Sequence, residues 1–137
     1  MSQVLVLDAE ALSCLASPRG ARYQEVRAAL EAAHRLRREV VTPAVVLAEL
    51  YRGRGHNQLV DSCLSRETGI LVRDTDRPFA RLVGSVLATA RATSADLADA
   101  HVVAAAVESG GGVLLTGDKD DLERLAGSYP GVHVAAI

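Results

Sequence analysis

Residues 112–123, Gly-Val-Leu-Leu-Thr-Gly-Asp-Lys-Asp-Asp-Leu-Glu, constrain the fold more than any other stretch of this chain. Val113 to Leu115 is an apolar run too short for a buried helix and suited to a buried strand. Thr116 and Gly117 break the run, and Asp118, Asp120 and Asp121 open a helix that ends near Gly127. In a parallel sheet the ligand site lies beyond the carboxyl ends of the strands, which is where Asp118 falls. The same residue suits a helix N-cap, and Asp121 three positions later completes something close to a capping box. Taken alone, the stretch supports both a functional acid and an ordinary helix start.

The remaining segments repeat the alternation. Val4–Leu7 reads as a strand ended by Asp8, followed by a short helix over residues 9–16 that Ser17-Pro18-Arg19-Gly20 closes. Residues 21–38 have helical period, with Val26, Leu30, Ala33 and Leu36 on one face and a solvated charged face opposite. Val40-Val41 makes a second strand, and Thr42-Pro43 reads as N-cap and first residue of a helix to about Arg52. Gly53-Arg54-Gly55 breaks it. A helix over residues 57–67, a strand over 70–72 and a helix over 76–92, disturbed at Pro78, come next. Thr93 caps a helix to about Ser109, and Val132–Val134 is a last strand. With no repeat or linker, residues 1–137 are expected to form a single domain. The expected class is α/β: a three-layer sandwich with a central, mostly parallel sheet and helices on both faces.

Composition narrows the function classes. The chain is 49 % hydrophobic but only 3 % aromatic, so stacking on aromatic rings is not its main means of holding a nucleic acid. A net charge of −2 excludes a broadly basic surface, leaving local or metal-mediated contact. Lys119 is the sole lysine. Cys14 and Cys63 have no metal-ligand spacing and read as buried thiols in a reducing compartment. The start lacks a basic region and a long apolar run, so neither a signal peptide nor a membrane span is expected, and a cytoplasmic location is.

Four carboxylates stand out. Asp8 and Asp118 each follow an apolar strand; if those strands are neighbours, the two acids lie roughly 5–10 Å apart at one sheet edge. Glu49 sits within a helix, one turn on from Val45 and Val46, where an unpaired carboxylate is costly to bury. Asp99 lies beyond the first turn of its helix with Val102 and Val103 one turn on. Asp96, by contrast, is explained by a capping box with Thr93. Arg52 is the only arginine placed locally to neutralise any of the four. One hard divalent cation satisfies all of them: Mg²⁺ or Mn²⁺ prefers oxygen ligands, and such sites promote attack of water on a phosphodiester.

Asp8 after the first strand, Glu49 in Thr-Pro-Ala-Val-Val-Leu-Ala-Glu, Asp99 in Ala-Asp-Ala-His-Val-Val-Ala-Ala-Ala and Thr116-Gly-Asp118 followed by Asp-Asp-Leu together resemble a PIN domain. Order, spacing and length are similar to the VapC-like toxins of type II toxin–antitoxin pairs, over nearly the whole chain. The resemblance implies a Mg²⁺- or Mn²⁺-dependent endoribonuclease, a homodimer, and a VapB-like antitoxin that blocks the acidic cleft. It implies Asp8, Glu49, Asp99 and Asp118 as metal-binding and catalytic acids, Thr116 as an accessory hydroxyl, and Asp96 and Asp121 as supporting acids. Asp96 and Asp99 could exchange roles. Many members carry Ser or Thr where this chain has Glu10, which is expected to point to solvent.

Two alternatives compete. Asp8-Ala9-Glu10 approximates the nucleophile motif of haloacid-dehalogenase-type phosphatases, but that family needs an Asp at position 10 and a lysine before the late acids. A non-catalytic PIN-like module binding RNA or protein is the other. Arg52 and Arg54 are the candidates for RNA contact, with Arg77 and Arg81 behind them; solvated surface positions are the stronger account of each, by about two to one. His34, His56, His101 and His133 read as structural.

Overall fold

A computed structural model describes residues 3–137. Five strands, β1 (Val4–Leu7), β2 (Glu39–Pro43), β3 (Ile70–Arg73), β4 (Gly112–Thr116) and β5 (Val132–Ala136), form one sheet in the order β3-β2-β1-β4-β5. Every neighbouring pair is parallel, so the sheet expected to be mostly parallel is wholly so.

Helices α1 (Ala9–Ala16), α2 (Tyr23–Arg35), α3 (Ala44–Leu50) and α4 (Arg54–Arg66) belong to the crossovers from β1 to β2 to β3. Helices α5 (Arg77–Thr89), α6 (Leu97–Glu108) and α7 (Lys119–Ala126) belong to those from β3 to β4 to β5. Parallel crossovers are right-handed, so reversing the direction of travel at β1 puts the two sets on opposite faces. The packing agrees: α1 meets α2, α3 and α4, whereas α6 meets α5 and α7.

The core follows from sequence. All four residues of β1 are buried, as expected of a central strand covered on both faces. Residues Ala100–Ala106 of α6 are buried almost without interruption, because alanine and valine let the helix lie close against the sheet. Phe79, the single phenylalanine, fills the gap between α5 and α6, with His101 edge-on at 5.7 Å. His101 is structural, as expected: its ring nitrogens engage the Leu97 carbonyl at 2.8 Å and the Thr75 hydroxyl at 3.0 Å. None of the helices is long and apolar enough to cross a membrane, among the described residues.

Several local expectations fail for identifiable reasons. Thr42 does not cap α3: it is the penultimate residue of β2, buried, and its hydroxyl donates to the Leu7 carbonyl at 3.1 Å. Pro43 takes the N-cap position instead, its extended backbone making the switch from strand to helix. Pro78 does not disturb α5, because Asp76 caps the helix and leaves the proline in its first turn. Leu36 falls past the end of α2 and is 61 % exposed rather than part of the apolar face. Cys63 is buried but Cys14 only partly so.

Candidate functional site: a carboxylate crevice at the switch point

Strand order reverses between β1 and β4, and a doubly wound sheet opens a crevice at such a point, beyond the carboxyl ends of its strands. Leu7 pairs with Leu115, so the next residues, Asp8 and Thr116, emerge side by side at the crevice floor. The Asp8 N–H donates to the Leu115 carbonyl at 3.2 Å and continues the ladder one step beyond the strand. The expectation that the strands carrying Asp8 and Asp118 are neighbours is met.

Asp8 is both a helix cap and a crevice acid. One carboxylate oxygen accepts from the Ala11 N–H at 2.8 Å, and the other accepts from the Thr116 hydroxyl at 2.5 Å. Thr116 in turn accepts from the Asp118 N–H at 2.8 Å, tying the turn after β4 to the end of β1. Asp8 is only 6 % exposed, and burial pushes its pKa above the ordinary value despite these donors. The nearby Glu10 carboxylate adds to the rise.

Asp99 was expected beyond the first turn of its helix. Ser94–Asp96 form a separate 3-10 turn, however, so α6 starts at Leu97 and Asp99 stands in its first turn. It is the most perturbed acid. Its pKa is pushed up to about 6, first by desolvation and then by repulsion from Asp8, Asp118, Asp121 and Glu49. Five carboxyl groups drawn from four separate segments therefore share one field. None of Asp8, Glu49, Asp99 or Asp118 forms an ion pair with an arginine or lysine among the described residues.

Glu49 reaches this crevice differently from the expectation. The helix that carries it is only seven residues long, Val46 alone is fully buried, and Glu49 is exposed near its end. Arg52 is not its counter-ion: the guanidinium donates to the Glu49 backbone carbonyl at 2.9 Å. Arg54, at the start of α4, is exposed, as are Arg77 and Arg81.

Asp118 occupies the N-cap position of α7, yet its side chain caps nothing. The capping box with Asp121 is absent; the two side chains hydrogen-bond to each other, and that contact is the main reason Asp121 has a raised pKa. Asp96 is not held by a capping box either. Thr93 caps through the Ala95 N–H at 3.3 Å, and Asp96 pairs with Arg124 of α7 at 3.0 Å. That ion pair joins the start of α6 to the last turn of α7 and removes Asp96 from the set of unpaired acids, whereas Asp99 stays within it.

Glu10 was expected to point to solvent and is exposed; what the sequence did not disclose is its two neighbours. It pairs with Arg22 at 2.7 Å and lies against Gly117, where any Cβ would fall 1.9 Å from its carboxylate oxygen. A side chain at position 117 would have to displace the flexible, half-exposed end of Glu10, which pairs with Arg22 beside the crevice. The available signal was Glu10's place in the first turn of α1, two residues after Asp8.

A ligand set made only of carboxylate and hydroxyl oxygens, unpaired with guanidinium and partly desolvated, fits a hard divalent cation. The spacing of the acids is wider than that of a closed ion site: no three acidic, histidine or cysteine groups stand close enough together to hold a metal ion among the described residues.

These features define a class: a doubly wound, wholly parallel α/β domain with an acidic crevice at its switch point. The family is specific. The sequence model of the PIN domain matches residues 5–128, and the chain belongs to that family. Solved structures share the fold at low identity. A chain in the structure of VapBC2 from Rickettsia felis bound to a DNA fragment from their promoter is 16 % identical, with 98 % of both chains covered and a TM-score of 0.66. A toxin–antitoxin complex from Klebsiella pneumoniae is similar at 19 % identity, over 93 % of this chain and 94 % of that one, with a TM-score of 0.66. DNA-bound VapBC from Salmonella typhimurium is similar at 18 % identity, with 98 % of both chains covered and a TM-score of 0.65. No curated protein matches the chain in sequence.

Proposed function

We propose that this chain is a VapC-like toxin: an endoribonuclease that works with Mg²⁺ or Mn²⁺ held by Asp8, Glu49, Asp99 and Asp118. The observation that carries this reading is Asp99, repelled by four other carboxylates with no cationic side chain to offset them. When bound, a divalent cation supplies an activated water and neutralises charge on the scissile phosphate.

The chain's own residues prepare that chemistry. The Ala11 N–H and Thr116 hydroxyl fix both oxygens of Asp8, so this acid is oriented before any ligand arrives. Thr116 orients the Asp118 backbone through the bond it accepts, and Asp121 holds the Asp118 side chain. Asp99 carries a proton over part of the neutral range and must release it to become a ligand. The Asp96–Arg124 pair ties the start of α6, which carries Asp99, to the body of α7. Arg52 and Arg54, exposed past Glu49, are placed to meet RNA phosphates.

Three similar structures are toxin–antitoxin or VapBC assemblies, which supports a VapB-like antitoxin as the partner of this chain. Homodimerisation and a cytoplasmic location belong to the same reading.

A thermal melt with and without Mn²⁺, paired with cleavage of a single-stranded RNA, tests the proposal. Saturating Mn²⁺ at 100 times its Kd is expected to stabilise the fold by about 2.7 kcal/mol. EDTA is expected to stop cleavage. Melts insensitive to Mn²⁺, or cleavage that survives EDTA, would refute it.

A further inference from the structure

The opposite end of the sheet carries a second concavity that the proposed nuclease chemistry does not use. A cleft of about 500 Å³ opens between the C-terminal ends of α2 and α4, beside the first residues of β2 and β3. Cavities that hold small ligands commonly have this size. Leu30, Val40 and Ile70 form its apolar floor, and Arg35, Arg38 and Arg66 stand around it.

Local charge is the unusual feature. The chain as a whole is acidic, with a net charge of −2, yet four arginines face two glutamates across this cleft. Both glutamates, Glu31 and Glu67, are engaged by Arg27. Nothing comparable engages the others: the side chains of Arg35 and Arg38 meet no carboxylate among the described residues.

Helix C-termini attract arginine because their carbonyls carry partial negative charge. That accounts for Arg66, which donates to the Leu15 carbonyl at 3.3 Å, and for Arg35 in the last turn of α2. Arg38 is different. It lies past the helix, beyond Arg37, whose backbone is left-handed at φ 55°. A side chain at that conformation costs roughly 1 kcal/mol, and glycine is the usual occupant. The reversal turns the chain back, so that the Arg38 N–H donates to the Ala33 carbonyl at 2.8 Å and this half-buried residue lines the cleft. An arginine that lines a cleft without forming an ion pair has its donors free for an anion.

We propose that this cleft binds a nucleoside monophosphate, its phosphate between Arg35 and Arg38 and its base over Leu30, Val40 and Ile70. A concave apolar floor with two arginines at its lining that form no ion pair suits a compact ligand with one flat apolar part and one dianionic end. A polymer lying across the surface would not use the floor.

Calorimetric titration of the full chain in EDTA, so that the acid crevice holds no cation, separates this site from the nuclease reading. AMP is expected to bind saturably, roughly tenfold tighter than inorganic phosphate, because the floor adds apolar contact. The double variant Arg35→Ala/Arg38→Ala is expected to lose at least about tenfold in AMP affinity with an unchanged melting temperature. Arg38→Lys, which keeps the charge, is expected to retain most of the binding, and Asp118→Asn all of it. No saturable AMP binding, or equal loss in Asp118→Asn, would overturn the proposal. So would displacement of AMP by lower concentrations of an RNA without terminal phosphates, which would reassign the cleft to the polymer.

Discussion

Asp8 and Asp76 make the same local contact and end in opposite electrostatic states. Each follows a strand, caps a helix, and accepts a hydrogen bond from the N–H three residues on, at 2.8 Å for Asp8 and 2.9 Å for Asp76. For Asp76 that bond, with help from Arg73, pulls the pKa below the ordinary value. Arg73 also holds Glu108 at 2.7 Å and stacks over Phe79 at 4.3 Å. For Asp8, burial outweighs its donors, and the nearest charge is another acid, so the pKa rises. A capping bond therefore does not distinguish an acid neutralised within the fold from an acid of the crevice. The surrounding charges do: one aspartate is closed off by a guanidinium, and the other faces a crevice of its own sign.

That contrast can be broken by exchange of chemistry at single positions. The largest effect is expected at the crevice, where Asp8→Asn retains an oxygen for the Ala11 N–H but loses its charge. RNA cleavage should fall by on the order of 10²-fold or more while the melting temperature barely changes. Asp76→Asn should leave cleavage untouched, and equal losses in the two variants would erase the distinction.

Asp99 sharpens it through pH. Its folded pKa of about 6 lies above the ordinary 3.8, so between these values the folded protein holds a proton that the unfolded chain releases. Stability of the metal-free protein must then fall as pH rises from about 4 to about 6 and level off beyond. Asp99→Asn should remove that slope and stabilise the protein at pH 7 by about 1–2 kcal/mol, allowing for solvent screening of a partly exposed group. Urea midpoints at pH 4.5 and pH 7 measure it. Asp76 has the opposite sign: its contribution is present above the ordinary carboxylate pKa and lost as pH falls through its lowered value. Asp76→Ala should therefore lower the melting temperature by about 2–5 °C at pH 7, and by less in strong acid.

The smallest change is expected at Arg91, which closes α5 in the left-handed conformation at φ 53°, as Arg37 closes α2. Arg91→Gly should stabilise by about 0.5 kcal/mol, the relief of side-chain strain being partly offset by the greater freedom of glycine in the unfolded chain. Arg37→Gly is the more informative partner, because it relieves the same strain beside the arginine cleft.

The sequence disclosed the alternation of strands and helices, and the acids at strand ends, because both rest on local periodicity. Val4–Leu7 and Ala9–Ala16 coincide with β1 and α1 for that reason. What it missed depends on partners remote in the chain. Thr42 looked like a cap because Pro43 follows it, but the Leu7 carbonyl, 35 residues away, claims its hydroxyl. Asp96 looked like half of a capping box, but Arg124, 28 residues on, claims its carboxylate. Glu49 looked buried by the company of Val45 and Val46, and a helix of seven residues ended too soon to bury it. That Glu10 lies against Gly117 was not visible from either residue.

The hydrogen bond from Thr116 to Asp8 joins residues 108 positions apart. A ribosome that has delivered β1, β2 and β3 has exposed Asp8 and Glu49 without the strand that completes their surroundings. Under the proposed function, the acid crevice would be complete only when nearly all of the chain has been made.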